Sequence, residues 1–222
     1  MRVVLTAATV GEWMPTFTHL DGLYTGESER LKVQFYQSGV GMLSSAVALT
    51  RLALENKPDL VIQMGIAGCF NKRIPLGKVI VVKNEILGDV GVEEQGIWKD
   101  IFDLKLEKSS NHPFEKRSLP NPWLPKFNLL KLKEVNSITV NEITTNKERI
   151  NQLTKKYKPT LESMEGAALH YVFREMNIPF IQIRAISNYI GERDKTNWKI
   201  KESIDLLNQT VIQYLDKLYK IK

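Results

Sequence analysis

The chain of 222 residues has a single cysteine, Cys69, so no disulfide can form within it and a packed core has to supply its stability. A lone thiol also points to a reducing compartment, and the expected location is cytoplasmic. No stretch approaches the ~20 apolar residues of a membrane span, so no membrane partner is expected. The opening MRVVLTA places only three strongly apolar residues between Arg2 and Thr6, unlike a signal peptide. His19, His112 and His170 show no metal-ligand spacing with one another or with Cys69, so no metal and no cofactor is assigned. Internal repeats and low-complexity tracts are missing as well. Lysine and arginine outnumber aspartate and glutamate by 31 to 25, for a net charge of +6. These charges are scattered among acids, with a lysine-rich C-terminal half, and form no basic helix interleaved with aromatics. A nucleic-acid partner is therefore not expected, and the charge reads as solubility.

What is present is an ordinary globular composition, 43% hydrophobic and 25% charged, in a length that suits a single domain over residues 1–222. MRVVLTA, LKVQFYQSGVG, KPDLVIQMGIAG, GKVIVVKNEIL, VNSITVN, TLESMEG and IPFIQIRAIS read as strands or strand ends. Helices alternate with them. MLSSAVALTRLALE predicts one with Leu43, Ala46, Val47, Ala53 and Leu54 on its apolar face, and NKERINQLTKKY another with Asn146 as N-cap. The terminal helix carries Ile204, Leu207, Val211, Tyr214, Leu215 and Leu218 on one face. From Gly88 to Lys133 the periodicity dissolves among prolines, and this segment reads as an irregular insertion or lid. Alternating strands and helices, with several strands apolar on both faces, predict an α/β fold with a largely parallel, doubly covered sheet. Such sheets bind ligands beyond the C-terminal ends of their strands. Five places qualify: the Glu12 turn, Gly39–Gly41, Gly65–Gly68, Met164–Glu165 and Ser187–Asn188.

Each candidate has two readings. SGVGM is a phosphate-cradling turn or a tight strand-to-helix connection, and the third glycine of a dinucleotide fingerprint is missing. GIAGCF offers free amides beyond an apolar strand, or is a plain turn. Glu12 is a helix-surface glutamate or a general base for water. Glu165 stabilises a helix N-terminus, or accepts two hydrogen bonds from a vicinal diol such as a ribose. Met164 is then a core filler or an apolar pad beneath the sugar. Asn188 is a turn residue, or an amide that donates and accepts in a site but cannot release a proton at neutral pH. His170 reads as part of its helix face.

Taken in order and spacing, Glu12, SGVG, KPDLVIQMGIAG, LGKVIVV, SMEGAA and IPFIQIRAISN resemble the nucleoside phosphorylase and nucleosidase superfamily. The resemblance implies a three-layer α/β/α fold around a central mixed, partly barrelled sheet, and cleavage of a ribose–base N-glycosidic bond. It implies Glu12 as the water-activating base and Asn188 on the base edge. Glu165 holds the ribose hydroxyls and Met164 packs on the sugar, with Gly65, Ile66, Ala67, Val140 and Ser187 completing the substrate site. Its partners are a small-molecule nucleoside, water as co-substrate, and further copies of the chain in a homodimer or larger homo-oligomer. Phosphorylases of the superfamily carry an arginine shortly before the glycine loop; Gln63 and Met64 stand here, which favours water over phosphate. The family's aromatic base-stacking residue is absent, Thr139 standing there. Adenine-specific nucleosidases carry an aspartic acid where Asn188 stands, and an amide instead suits the O6 and N7 acceptors of a 6-oxopurine. RAISNYIGERDKTNWKI, with Arg193, Asp194 and Trp198, resembles the futalosine hydrolases. The expected reaction is hydrolysis of futalosine to hypoxanthine and dehypoxanthine futalosine in menaquinone biosynthesis. The alternatives are a purine nucleoside phosphorylase, a methylthioadenosine/adenosylhomocysteine nucleosidase, and a non-catalytic nucleoside-binding protein.

Overall fold

The computed structural model describes residues 1–20 and 31–221. In chain order its elements are β1 (Arg2–Ala7), α1 (Val10–Leu20), β2 (Lys32–Gln37), α2 (Met42–Asn56), β3 (Leu60–Cys69), β4 (Val79–Leu87), β5 (Gly91–Glu94), β6 (Ile97–Asp100), β7 (Leu119–Pro120), α3 (Leu124–Phe127), β8 (Glu134–Thr139), α4 (Lys147–Tyr157), β9 (Leu161–Ser163), α5 (Gly166–Glu175), β10 (Phe180–Tyr189) and α6 (Ile200–Lys220). A short 3-10 turn, Lys195–Asn197, precedes the last helix.

The main sheet runs β10-β4-β8-β9-β3-β1-β2, and β10 pairs with β3 as well as with β4. That second pairing closes β3, β10, β4, β8 and β9 into a ring, while β1 and β2 extend from β3 as an open wing. The ring is mixed: β10 is parallel to β3 and antiparallel to β4, and β9 is antiparallel to β3. The mixed, partly barrelled sheet is therefore present. α1 and α6 pack together on one side of it, and α2 and α5 on the other, which gives the three layers.

The largest core joins the sheet to α6 through Leu5, Ile62, Met64, Ile183, Leu207, Val211 and Leu215. A second core joins it to α2 and α5 through Val61, Leu49, Leu52, Phe173 and Phe180. Each such side chain contributes roughly 1.5–3 kcal/mol on burial. In α6 the expected stripe is the buried one, with Leu207, Val211, Tyr214, Leu215 and Leu218 inside. In α4, Asn146 caps the helix by accepting the Arg149 N–H at 3.0 Å.

The apolar face of α2 differs from the expected one except at Ala53. Ser45, Leu49, Leu52 and Ala53 face the core. Leu43, Val47 and Leu54 are 80%, 56% and 60% exposed. The helix has two apolar stripes, and periodicity alone does not say which one meets the sheet. α5 decides it, because Leu169, Val172 and Phe173 take the Leu49–Leu52 side.

Residues 88–133 contain the β5–β6 hairpin, the β7 pairing to β4, and the short α3. The segment is braced against the domain by charge and carbonyl contacts. Arg174 donates to the carbonyls of Pro113 (2.6 Å) and Pro120 (2.7 Å) and pairs with Glu115. Asp100 accepts from Arg117 and from the Tyr157 hydroxyl, and lies 3.1 Å from the Lys156 ammonium. Leu124 and Phe127 enter the main core.

Candidate active site

All five strand-end segments meet at one cavity of about 390 Å³. Glu12, Ile66, Ala67, Val140, Met164, Glu165, Ser187 and Asn188 line it. So do Val40 of the glycine turn, Gly68, and Ile143, Glu162, Ile190 and Trp198, which sequence reasoning did not assign to it. Gly65 lies outside the lining, beneath it. A Cβ at Gly65 would collide with the Arg184 guanidinium and come within 2.9 Å of Glu12 Oε1, so this position has to be glycine for the two side chains to meet over the strand. Among the described residues, none between 88 and 133 lines the cavity.

Glu12 sits in the first turn of α1 and is buried. Its Oε2 accepts from the Thr9 N–H (3.1 Å) and the Thr9 hydroxyl (3.3 Å), and its Oε1 accepts the Ile66 N–H (3.1 Å). Burial raises its pKa above the usual carboxylate range; the Arg184 charge and the amides of Thr9 and Ile66 oppose this, and Glu165 adds to it. A buried carboxylate with a raised pKa, fixed at both oxygens, has the character of a general base.

Glu165 occupies the N-cap position of α5 but makes no side-chain cap. Its Oε1 accepts the Gly41 N–H at 3.1 Å, and its Oε2 lies 3.6 Å from Arg184 Nη2. The glycine turn is thus engaged: Gly39 (φ 81°) and Gly41 (φ 87°) adopt the left-handed region that lets the Gly41 amide reach Glu165. It reads as a strand-to-helix connection whose amide positions a carboxylate rather than cradling a phosphate.

Asn188 closes β10. The Ser187 hydroxyl donates to its Oδ1 at 2.8 Å, and its Nδ2 donates to the Tyr189 carbonyl at 3.3 Å. One lone pair of the oxygen and the second amide hydrogen remain for a ligand. Trp198 approaches from the loop beyond, its Nε1 donating to the Glu192 carbonyl (3.2 Å) and its ring beneath Arg193 at 5.5 Å. Asp194 is exposed and caps the 3-10 turn through Thr196, a structural role. Thr139, at the position of the family's stacking aromatic, turns inward: its hydroxyl donates to Glu85 Oε2 (3.0 Å) and accepts the Ala167 N–H (2.7 Å).

The residue that the sequence reading passed over is Arg184. It is fully buried in β10, donates to Gln63 Oε1 at 2.9 Å, and places one positive charge beside both Glu12 and Glu165. Behind it lies a polar barrel interior. Glu85, pushed up by complete burial, accepts from Gln182 (2.9 Å) and Thr139. The available signal was alternation: Gln182 and Arg184 sit two apart in the otherwise apolar stretch Phe180–Ile186, and Gln63 stands in the neighbouring strand. His170 belongs to the same buried layer. Its Nδ1 lies 2.6 Å from the Leu119 carbonyl, and burial lowers its pKa to about 3, so it is neutral and structural. Among the described residues no cluster of three or more histidine, cysteine or acidic side chains could hold a metal ion, and no helix is long and apolar enough to cross a membrane.

Comparison with known proteins bears on the family and the fold. A family model described as the phosphorylase superfamily matches residues 6–220. The futalosine hydrolase of Thermus thermophilus is 28% identical over 182 residues, 82% of this chain and 80% of that one. The 5'-methylthioadenosine/S-adenosylhomocysteine nucleosidase of Listeria welshimeri is 27% identical over 172 residues, 76% of this chain and 74% of that one. Among solved structures, the corresponding nucleosidase of Colwellia psychrerythraea in complex with adenine superposes with a TM-score of 0.78 at 18% identity, covering 98% of this chain and 96% of that one. The last likeness fixes the fold, a nucleoside phosphorylase-like one.

Proposed function

The chain belongs to the phosphorylase superfamily, and on that premise we propose that it is a purine nucleosidase that hydrolyses the N-glycosidic bond of futalosine, releasing hypoxanthine. The observation that carries the reading is the Asn188 amide, its oxygen tied to Ser187, in one cavity with the buried carboxylates Glu12 and Glu165. Glu12 polarises the attacking water. Glu165 accepts from the ribose hydroxyls, and Met164 packs against the sugar. Asn188 donates to the O6/N7 edge of the departing base and steadies its growing negative charge. The transition state is oxocarbenium-like, so alignment of the water and stabilisation of the leaving base act together. Gly65, Ile66, Ala67, Val140 and Ser187 shape the floor around these groups.

Hydrolysis is favoured over phosphorolysis because the guanidinium beside the two carboxylates, Arg184, is already held by Gln63 and Glu165. Placement in menaquinone biosynthesis and in the cytoplasm forms part of the same reading, as does residues 88–133 serving as an insertion in a single domain. Self-association is included too. Leu43, Val47 and Leu54 leave an apolar stripe on α2, and Val40, 58% exposed, joins it to the cavity mouth. A second reading, cleavage of methylthioadenosine or adenosylhomocysteine, is favoured by the relatives of that activity. The deciding experiment incubates purified protein with futalosine, inosine and methylthioadenosine, with and without phosphate, and follows free base. Phosphate-independent release of hypoxanthine is the expected result. Release of adenine alone, or strict dependence on phosphate, overturns the reading.

A further inference from the structure

Glu165 holds the N-cap position of α5 without capping it. Its carboxylate is turned away, to the Gly41 N–H and toward Arg184. The first amides of a helix need acceptors from outside it, and the N-cap side chain is the usual supplier, to the second or third amide. In α5 the second amide, Ala167 N–H, donates elsewhere, to the Thr139 hydroxyl at the end of β8, at 2.7 Å. The first, Gly166 N–H, reaches Ser163 Oγ at 3.4 Å.

Thr139 has one hydroxyl hydrogen, and it goes to Glu85 Oε2 at 3.0 Å. That leaves the oxygen's lone pairs for the Ala167 amide. Glu85 is fully buried on β4, and its other oxygen accepts from Gln182 Nε2 at 2.9 Å. A Cβ at Gly166 would collide with Glu85 Oε1 and with Gln182 Nε2, so the helix starts directly against this carboxylate. The helix dipole favours an acidic group in that place. Neither Glu85 nor Thr139 lines the cavity. Amide, hydroxyl and carboxylate form a three-member relay, and the cap of α5 comes from the barrel interior rather than from Glu165.

We propose that Glu85 and Thr139 are positioning residues that cap α5 in place of its own N-cap residue, and so leave the Glu165 carboxylate free for the ribose hydroxyls. The inference rests on the nucleosidase reading above and adds to it two groups that never touch the substrate. Without the relay the Ala167 amide is bare, and Glu165 is the acidic residue at the helix start. Its side chain is then drawn back to the helix end. The population that keeps it at Gly41 falls by the worth of a cap, about 3- to 30-fold.

The test removes the hydroxyl and keeps the shape. Thr139→Val should lower kcat/KM for futalosine and inosine by that same factor, about 3- to 30-fold. Inhibition of the cleavage by hypoxanthine, which has no sugar, and by 2',3'-dideoxyinosine, which lacks both hydroxyls, should not change. Thr139→Ser, which keeps the hydroxyl, should restore the rate. Glu85→Gln still offers Thr139 an oxygen, and its new NH₂ can donate to Gln182 Oε1, which has no partner among the described residues. That variant should stay near the wild-type rate, whereas Glu85→Leu should lose as much as Thr139→Val. A thermal melt accompanies each variant. Inhibition weakened as much as turnover, no loss in Thr139→Val, Glu85→Gln as impaired as Glu85→Leu, or a Thr139→Val chain that does not fold overturns the positioning role while the nucleosidase reading stands. A wild-type protein that releases no base from futalosine or inosine overturns that reading, and this inference with it.

Discussion

Replacing Arg184 with methionine keeps most of the side-chain volume and removes the positive charge that Glu12 and Glu165 share. At the 3.6 Å separation of Arg184 Nη2 and Glu165 Oε2, an effective dielectric of about 20 gives an attraction of about 4–5 kcal/mol. Breaking such a pair from one side leaves a buried carboxylate uncompensated, which costs about 3–5 kcal/mol at neutral pH. The loss depends on pH in a definite direction. Burial already raises the Glu12 pKa above 4.5, with Arg184 the main opposing influence, so the variant raises it further. Across the window from 4.5 up to that raised value, the folded variant holds more protons than the unfolded chain, and stability falls as pH rises. Urea unfolding should therefore show the large deficit at pH ~7.5 and a smaller one at pH ~5, where protonation removes part of the repulsion. If Glu12 is the base, the acid limb of kcat/KM should also move upward. An equal deficit at both pH values with an unshifted acid limb would refute the claim that Arg184 neutralises this carboxylate pair.

Glu12→Gln should lower turnover about 10²- to 10⁴-fold, the usual contribution of a positioned base, and a steady-state assay beside a thermal melt separates this from unfolding. Asn188→Asp should weaken release of hypoxanthine and open release of adenine, read by chromatography of the free bases from paired nucleosides; an unchanged preference would sink the amide's role in specificity. Val47→Glu, on the exposed stripe of α2, should halve the mass seen by light scattering at micromolar protein. It should shift monomer stability by no more than about 0.5 kcal/mol, and an unchanged mass removes that stripe from any subunit contact.

The sequence carried the layered fold and the convergence of five strand ends because both follow from local pattern: apolar runs that finish in glycine, serine or a carboxylate. What it concealed depends on non-local pairing. β10 joins both β3 and β4, a closure that no periodicity within IPFIQIRAISN announces. That closure turns Gln182 and Arg184 inward onto Glu85 and Gln63, so polar residues that interrupt an apolar strand become a barrel interior. Glu162 escaped for the same reason. Within TLESMEG it is one more acid near the conspicuous Glu165, and only its pairing with Gly68 brings it to the cavity wall. On α2 the difficulty was an excess of signal, since two stripes were apolar and only the partner helix distinguished them.

The double pairing of β10 also orders events during synthesis. β3, at Leu60–Cys69, must wait for Phe180–Tyr189 before its free edge is covered. Loop closure over so long a separation slows folding, and until it happens an apolar edge faces solvent and invites association with other chains. The emerging polypeptide has Glu12, the proposed base, from the first helix onward, yet it gains Asn188, the proposed partner of the leaving group, only when this late strand docks. Ligand capture is thereby reserved for a nearly complete molecule.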